Sequence, residues 1–135
     1  MRAMIGTIFV LFCMIFMLQG CLLLAVGAGA GAGAATFAYV KGELRTTYAA
    51  SLNRTWEATL SALKDLQINV RSSKKDATEG SIEATKADGT NVKINLEPAG
   101  PDTTSVRIRV GMFGDEEASR VINRQIASKL GVKSQ

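Results

Sequence analysis

Residues 80–112 read GSIEATKADGTNVKINLEPAGPDTTSVRIRVGM, and apolar and polar side chains alternate along most of this stretch. A period of two is typical of a β-strand that buries one face and exposes the other. The apolar positions form three groups and so predict three strands, which contain Ile82 and Ala84; Val92, Ile94 and Leu96; and Val106, Ile108, Val110 and Met112. Asp88-Gly89 predicts a tight type I′ hairpin between the first two strands. The segment Pro98–Asp102 predicts a longer loop before the third.

Two strands and a helix are predicted upstream of this stretch. The first strand contains Leu44, Thr46 and Tyr48 in alternation with polar residues, and the second contains Ile68 and Val70. Between them Ser51 is typical of a helix N-cap. Apolar residues then recur at helical spacing and predict an amphipathic helix over about residues 52–66: Leu52, Trp56, Leu60, Leu63 and Leu66. We therefore expect Trp56 in the core.

A second helix is predicted downstream, from Gly114 or Asp115 to a stop at Gly131. Its apolar stripe consists of Ala118, Val121, Ile122, Ile126 and Leu130. The element order is therefore β-α-β-β-β-β-α. A sheet with one apolar face must bury that face against another layer, and the two amphipathic helices can form this layer. The fold class predicted is α+β, a two-layer sandwich whose mainly antiparallel sheet carries both helices on one face.

The front of the chain has the features of a membrane-targeting segment, because no charged residue lies between Arg2 and Lys41. Met4–Leu18 is apolar, and the tetrapeptide Leu-Gln-Gly-Cys that ends at Cys21 resembles the lipobox of bacterial lipoproteins. The resemblance implies that residues 1–20 are a signal peptide and that Cys21 is acylated. The alternative is an uncleaved signal anchor, since the apolar run continues to Val26 and is long enough to span a bilayer.

Residues 21–40 contain a glycine-alanine repeat at positions 27–34. We interpret residues 21–40 as the lipidated cysteine followed by a spacer or membrane-hugging segment, and residues 41–135 as a small folded domain. Two overlapping G-x-x-x-G pairs leave open that the repeat packs as a helix in the membrane. Leu22, which follows Cys21, and the lipoprotein resemblance imply a periplasmic domain at the inner leaflet of the outer membrane.

A wider resemblance rests on the Trp-bearing helix, the strand INV at residues 68–70, the segment DATEGSIEA at 76–84 and the segment LLLAVGAGAGAGAATFAYVKGEL at 22–44. Together they resemble an uncharacterised family of small proteobacterial lipoproteins with a domain of unknown function. The element order alone is also similar to the helix-grip domains of an outer-membrane assembly lipoprotein. Neither resemblance implies catalytic residues.

Composition argues against catalysis. The chain has no histidine, and its only cysteines are Cys13 and Cys21, which excludes Cys/His zinc sites and Ser-His-Asp triads. S-x-x-K spacing occurs at Ser61–Lys64 and Ser72–Lys75 without the motifs that accompany it in serine acylases. The acidic run 115–117 is explained by the dipole of the helix that starts there. We expect no enzyme activity, metal or cofactor; an envelope enzyme with a Ser/Lys site is the less favoured alternative.

A binding role has better support. The outward strand positions carry the cations Arg45, Arg71, Lys93, Arg107 and Arg109, interspersed with Glu43, Glu83 and Glu97. If the hairpins form, Lys93, Arg107 and Arg109 lie on neighbouring strands. One interpretation is cross-strand ion pairing on a solvated face. The other is a shallow basic surface for an anionic envelope component or an acidic partner protein. We expect no nucleic-acid binding, because the net charge is only +4 and no aromatic residues interleave the cations.

The lipid anchor can be tested directly. We expect cells that express the full chain to incorporate a palmitate analogue into it, and the Cys21→Ala variant to lose this label, because Cys21 is the acylated residue of the lipobox. Gel fluorescence after metabolic labelling measures both. Equal labelling of the two proteins, or no labelling of either, would contradict the interpretation.

Overall fold

A computed structural model describes residues 34–134 of the chain. Seven strands form one sheet in the order β3-β4-β5-β6-β2-β1-β7. The strands are β1 Ala34–Val40, β2 Glu43–Tyr48, β3 Asn69–Lys75, β4 Gly80–Thr85, β5 Asn91–Gly100, β6 Thr103–Val110 and β7 Lys133–Ser134. The helices are α1 Leu52–Asp65 and α2 Glu116–Leu130. All pairings are antiparallel except that of β7, which runs parallel to β1. The α+β class and the predicted order of elements are confirmed.

The core lies between the two helices and the inner face of the sheet. Buried and exposed positions alternate in β2, β4, β5 and β6, as the period of two predicts. The largest buried apolar side chains of the strands are Leu44, Tyr48, Ile82, Val92, Ile94, Leu96, Val106, Ile108 and Val110. Both helices pack on one another and on these strands. One face of the sheet is therefore buried against the helices, and the other face is exposed to solvent.

Trp56 is buried, as expected, and its position depends on a glycine in the neighbouring strand. A Cβ atom at Gly80 would lie 2.8 Å from the indole ring, so β4 approaches α1 closely only because residue 80 has no side chain. The Lys75 ammonium lies 5.7 Å from the centre of the same ring. Ser51 is the N-cap of α1, also as predicted, and its hydroxyl oxygen accepts from the N–H of Arg54 at 3.3 Å.

Strand β3 departs from the expected pattern, because every residue in it is exposed. Ile68 is buried just before the strand, whereas Val70 is exposed, and a register shift between Val70 and Ser72 leaves Arg71 unpaired with β4. The prediction of a dry face for every strand is wrong here. β3 lies at the edge of the sheet, where a bulge and charged side chains discourage pairing with another chain.

The hairpin between β4 and β5 is confirmed, but its turn is not type I′. Only Gly89 has a positive φ, of 87°, and its N–H donates to the Lys86 carbonyl at 3.0 Å. This is the three-residue loop in which a type I turn is followed by a left-handed glycine. Hydrogen bonds from the Thr90 hydroxyl and N–H lower the pKa of Asp88 to about 2. Asp88 therefore stabilises the turn through its carboxylate rather than by adopting a positive φ.

The longer loop predicted at Pro98–Asp102 is also wrong. Strand β5 continues to Gly100, and only Pro101 and Asp102 connect it to β6. Asp102 adopts a φ of 48°, which a tight turn requires. Pro98 is tolerated because the pairing of β5 with β4 ends at Leu96, so the missing N–H breaks no bond on that side.

Met112 was expected at the inward end of the last strand, and it is exposed instead. β6 ends at Val110, and Gly111 takes a φ of 75°, which turns the chain out of the sheet. Asp115 then caps α2, and its carboxylate accepts from the N–H of Ala118 at 3.0 Å. The predicted start of this helix and its end at a left-handed Gly131 are both confirmed.

Strand β1 lies within residues 21–40, for which the sequence indicated a spacer, a membrane-hugging segment or a helix in the membrane, but no strand. It pairs with β2 along its length through a two-residue turn, Lys41-Gly42, with φ values of 51° and 79° that define type I′. Phe37 and Tyr39 pack against the core. The compact unit accordingly spans Gly33–Gln135 rather than starting at residue 41. Residues 1–20, Cys21 and most of the glycine-alanine repeat lie outside the described residues.

The contribution of β1 can be measured with two fragments. We expect fragment 33–135 to unfold cooperatively in urea and fragment 41–135 to be less stable by about 2 kcal/mol, since the latter loses the burial of Phe37 and Tyr39. Circular dichroism at increasing urea concentration gives both midpoints. The Phe37→Ala variant of the longer fragment should fall between them. Coincident midpoints for the two fragments would show that β1 adds nothing to the fold.

Candidate functional site: the outer face of the sheet

On the solvent-exposed outer face of the sheet, charged residues lie in two adjacent rows. In the first row Glu83 on β4, Lys93 on β5 and Arg109 on β6 stand in register. In the second row Asn95 on β5 stands opposite Arg107 on β6, which stands opposite Arg45 on β2. The three predicted contact residues, Lys93, Arg107 and Arg109, therefore share one surface. Arg45 joins them because β2 lies next to β6.

Cations face cations in both rows. Lys93 is directly opposite Arg109, and Arg107 is directly opposite Arg45. Directly opposite positions on neighbouring strands bring Cβ atoms to about 5 Å, where like charges destabilise the pairing. We refer to Arg45, Lys93, Arg107 and Arg109 as the cation cluster.

Two carboxylates reduce the repulsion. Glu97 forms an ion pair with Arg107, and Glu43 lies 3.6 Å from the Arg45 guanidinium and 3.7 Å from that of Arg109. Arg109 also donates to the Lys41 carbonyl at 2.9 Å. The ion-pairing interpretation of the sequence thus applies to Arg45, Arg107 and Arg109. Within residues 34–134, Lys93 has no carboxylate oxygen within 4 Å.

A shallow depression of about 470 Å³ adjoins the cluster on the side of β3. Arg71, Ser72, Glu83 and Lys93 contribute to its lining. Lys93 belongs to both features and connects them. The cluster, the depression and the paired carboxylates Glu43 and Glu97 together contain five cations and three carboxylates, so this part of the outer face is net positive. Arginine guanidinium groups on such a face can form paired hydrogen bonds with phosphate or carboxylate oxygens.

A buried polar network lies on the inner side of the same strands. Asn123 on α2 is 2% exposed, and its side-chain oxygen accepts from the Thr46 hydroxyl at 2.8 Å and from the Tyr48 hydroxyl. The Tyr48 hydroxyl also lies 3.1 Å from the Asn123 carbonyl. Burial raises the pKa of Tyr48 above its ordinary value. Asn123 was missed in the sequence because it falls among the apolar residues of the helix stripe.

The two S-x-x-K sequences take different positions. Ser72 and Lys75 point to opposite sides of β3: Ser72 lines the outer depression, whereas Lys75 lies over Trp56 and donates to Asn53 at 2.8 Å. Ser61 is half-buried on α1 and Lys64 is exposed. Side chains three residues apart on a strand point to opposite faces of the sheet. The Ser72–Lys75 pair therefore lacks the geometry of a nucleophile and its base.

Two of the three carboxylates in the acidic run at the start of α2 make local contacts. Asp115 caps the helix, and Glu116 lies 2.6 Å from the Arg120 guanidinium one turn later. Among the residues that the structure describes, no group of three or more aspartate, glutamate, cysteine or histidine side chains could hold a metal ion. In that same part of the chain, neither helix is long and apolar enough to cross a membrane.

A comparison with known protein families finds a match over most of the chain. The model of the family described as "Protein of unknown function (DUF3568)" matches residues 3–129. No curated protein matches the chain.

The buried tyrosine predicts a loss of stability in alkali. Because the pKa of Tyr48 is raised in the folded state, its neutral form stabilises the fold fully below about pH 10. That contribution falls as the pH rises above this value, by about 1.4 kcal/mol per pH unit. We expect urea unfolding of fragment 33–135 between about pH 9 and 11 to show a steeper decline than the Tyr48→Phe variant shows. Tyr39→Phe is the matched control and should keep the steep decline. Equal slopes for the wild type and Tyr48→Phe would contradict this account.

Proposed function

This chain belongs to the DUF3568 family, whose function is unknown, and we propose that it is a lipid-anchored, non-enzymatic binding module of the bacterial cell envelope. The Leu-Gln-Gly-Cys tetrapeptide supports the anchor at Cys21. Two or three acyl chains, at about 0.8 kcal/mol for each buried CH₂, would hold the protein stably on a membrane. We place the domain on the periplasmic side, at the inner leaflet of the outer membrane.

We further propose that the cation cluster is the binding surface, with Lys93, Arg107 and Arg109 as its principal contacts. The observation that supports this proposal is that the cluster contains two pairs of cations, and the two members of each pair lie directly opposite one another on adjacent strands. Each such pair costs up to about 1 kcal/mol relative to a neutral pair. An anion placed between the rows would remove that cost and gain new hydrogen bonds. Glu83, which stands directly opposite Lys93 on β4, and the ion pairs of Glu43 and Glu97 offset part of this cost.

The ligand that this chemistry favours is the phosphate of an anionic lipid headgroup. Each cation near an anionic bilayer contributes about 1 kcal/mol, an effect that salt screens over about 8 to 10 Å. The contacts of Arg107 with Glu97 and of Arg109 with Glu43 lower the contribution of each arginine. A tether compensates for weak binding, because it confines the domain at a high effective concentration next to the membrane.

Cosedimentation with lipid vesicles tests this surface. We expect fragment 33–135 to bind vesicles that contain phosphatidylglycerol at low salt, and to bind them less at physiological salt. Replacing Lys93, Arg107 and Arg109 with glutamine should weaken the low-salt binding about tenfold or more, since three cations are lost. The matched control is the triple glutamine variant at Lys64, Arg124 and Lys129, which removes the same charge from the helical layer and includes one ion-paired residue, Lys129.

The proposal is supported if the variant at Lys93, Arg107 and Arg109 loses binding and the variant at Lys64, Arg124 and Lys129 keeps it. Equal losses in the two triple variants would mean that net charge alone attracts the fragment and that the cluster is a solvated face. Binding of the wild type to an acidic polysaccharide or an acidic protein from envelope extracts, with no binding to vesicles, would contradict the lipid assignment.

A further inference from the structure

The turn between β6 and α2 exposes two large apolar side chains. Met112 is 83% exposed and Phe113 is 91% exposed, the highest values among the large hydrophobic residues that the structure describes. We call the segment from Gly111 to Gly114 the tip. A single exposed apolar residue needs no explanation, but two consecutive ones at a loop apex hold apolar area in water without any contact to offset its cost.

The tip is held firmly rather than loosely. Gly114 packs directly on the backbone of Gly42, where a Cβ atom on Gly114 would collide with the Gly42 carbonyl oxygen. A Cβ on Gly42 would in turn lie 2.8 Å from the Phe113 carbonyl oxygen. The Gly111 N–H donates to the Asn91 carbonyl at 2.8 Å. The backbone therefore fixes the β1–β2 turn against the tip, and the exposure of Met112 and Phe113 is built into the fold.

Two basic residues, Lys41 and Arg109, lie next to the tip on the side of the sheet. The exposed Lys41 lies in the turn that packs on it, and the Lys41 carbonyl accepts from Arg109 of the cation cluster. Val40, which precedes Lys41, is 43% exposed. Of the carboxylates that follow the tip, Asp115 caps its own helix, Glu116 pairs with Arg120, and Glu117 is exposed. Apolar side chains next to cations are the combination that binds the interface of an anionic bilayer.

We propose that the tip inserts the side chains of Met112 and Phe113 into the interfacial layer of a lipid bilayer, with Lys41 at the level of the headgroups. This contact needs neither an acyl chain at Cys21 nor the second row of the cation cluster. It takes from the proposed function only that the domain stands beside a membrane.

The length of the chain permits this contact alongside a tether. The tip lies at the end of the sheet opposite to Ala34, and β1 spans about 20 Å between the two ends. Residues 22–33 separate Cys21 from Ala34, and twelve residues can extend to about 40 Å. An anchored Cys21 and an inserted tip can therefore occupy one bilayer.

Vesicle binding of fragment 33–135 again provides the test, with the tip substituted. We expect Met112→Ser combined with Phe113→Ser to weaken binding about tenfold or more, because the apolar area that enters the bilayer is lost. Met112→Leu combined with Phe113→Leu should bind as the wild type does. Val121→Ser, at an exposed apolar position on α2, is the matched control and should also leave binding unchanged.

Insertion itself has a spectroscopic signature. In a Phe113→Trp variant, vesicles should shift the emission of the added indole to shorter wavelength, and brominated lipids should quench it. Trp56 is buried in the core, so the wild-type fragment supplies the background spectrum. This tip-dependent binding should persist at high salt, whereas binding through the cation cluster should not.

The two proposals can therefore fail separately. Unchanged emission in the Phe113→Trp variant on addition of vesicles, or equal binding by the wild type and the double serine variant, would overturn insertion by the tip even if salt-sensitive binding remained. Salt-resistant binding that the double serine variant loses would support the tip even if the triple glutamine variant bound normally. Capture of a protein through Met112 and Phe113, without vesicle binding, would also overturn the membrane assignment.

Discussion

The hydrogen bonds between Asn123 and the β2 side chains Thr46 and Tyr48 set the relation between the two layers. Asn123 is buried in the middle of α2, where an unpaired amide would cost about 1 to 3 kcal/mol. Only one placement of the helix along β2 satisfies it, whereas apolar contacts alone tolerate small shifts. Because side chains alternate, fixing Thr46 inward also fixes Glu43 and Arg45 outward. The charged surface on one side thus depends on a polar contact buried on the other.

Much of the fold could be predicted from the sequence because apolar residues recur along each main strand or helix with the period of that element. The alternation around Ile94 and Ile108 defines strands, and the apolar stripes that contain Trp56 and Ile126 define helices. Strand β1 could not be found in this way, since AATFAYV has no polar alternation and follows a repeat of glycine and alanine. The exposure of β3 also escaped prediction, because alternation indicates a strand but does not say whether a helix covers it.

The candidate site was predictable only in part. That Lys93, Arg107 and Arg109 share a face follows from the hairpin order of β4, β5 and β6, and sequence neighbours in a sheet are usually neighbours in space. Arg45 lies opposite Arg107 only because β2 pairs with β6, and no local sequence pattern predicts that pairing. The exposed Met112 followed the alternation of β6 and was therefore assigned to the core. The left-handed conformation of Gly111 ends that alternation.

The type I′ turn at Lys41-Gly42 has a mechanical consequence. Strand β1 enters the sheet at one end and turns back at the other, so a pull on Ala34 against a hold at the far end acts along the strand. The hydrogen bonds between β1 and β2 lie across that direction and share the load in shear instead of opening one after another. An anchor at Cys21, as proposed, would thereby load the domain through the geometry in which a sheet resists force best.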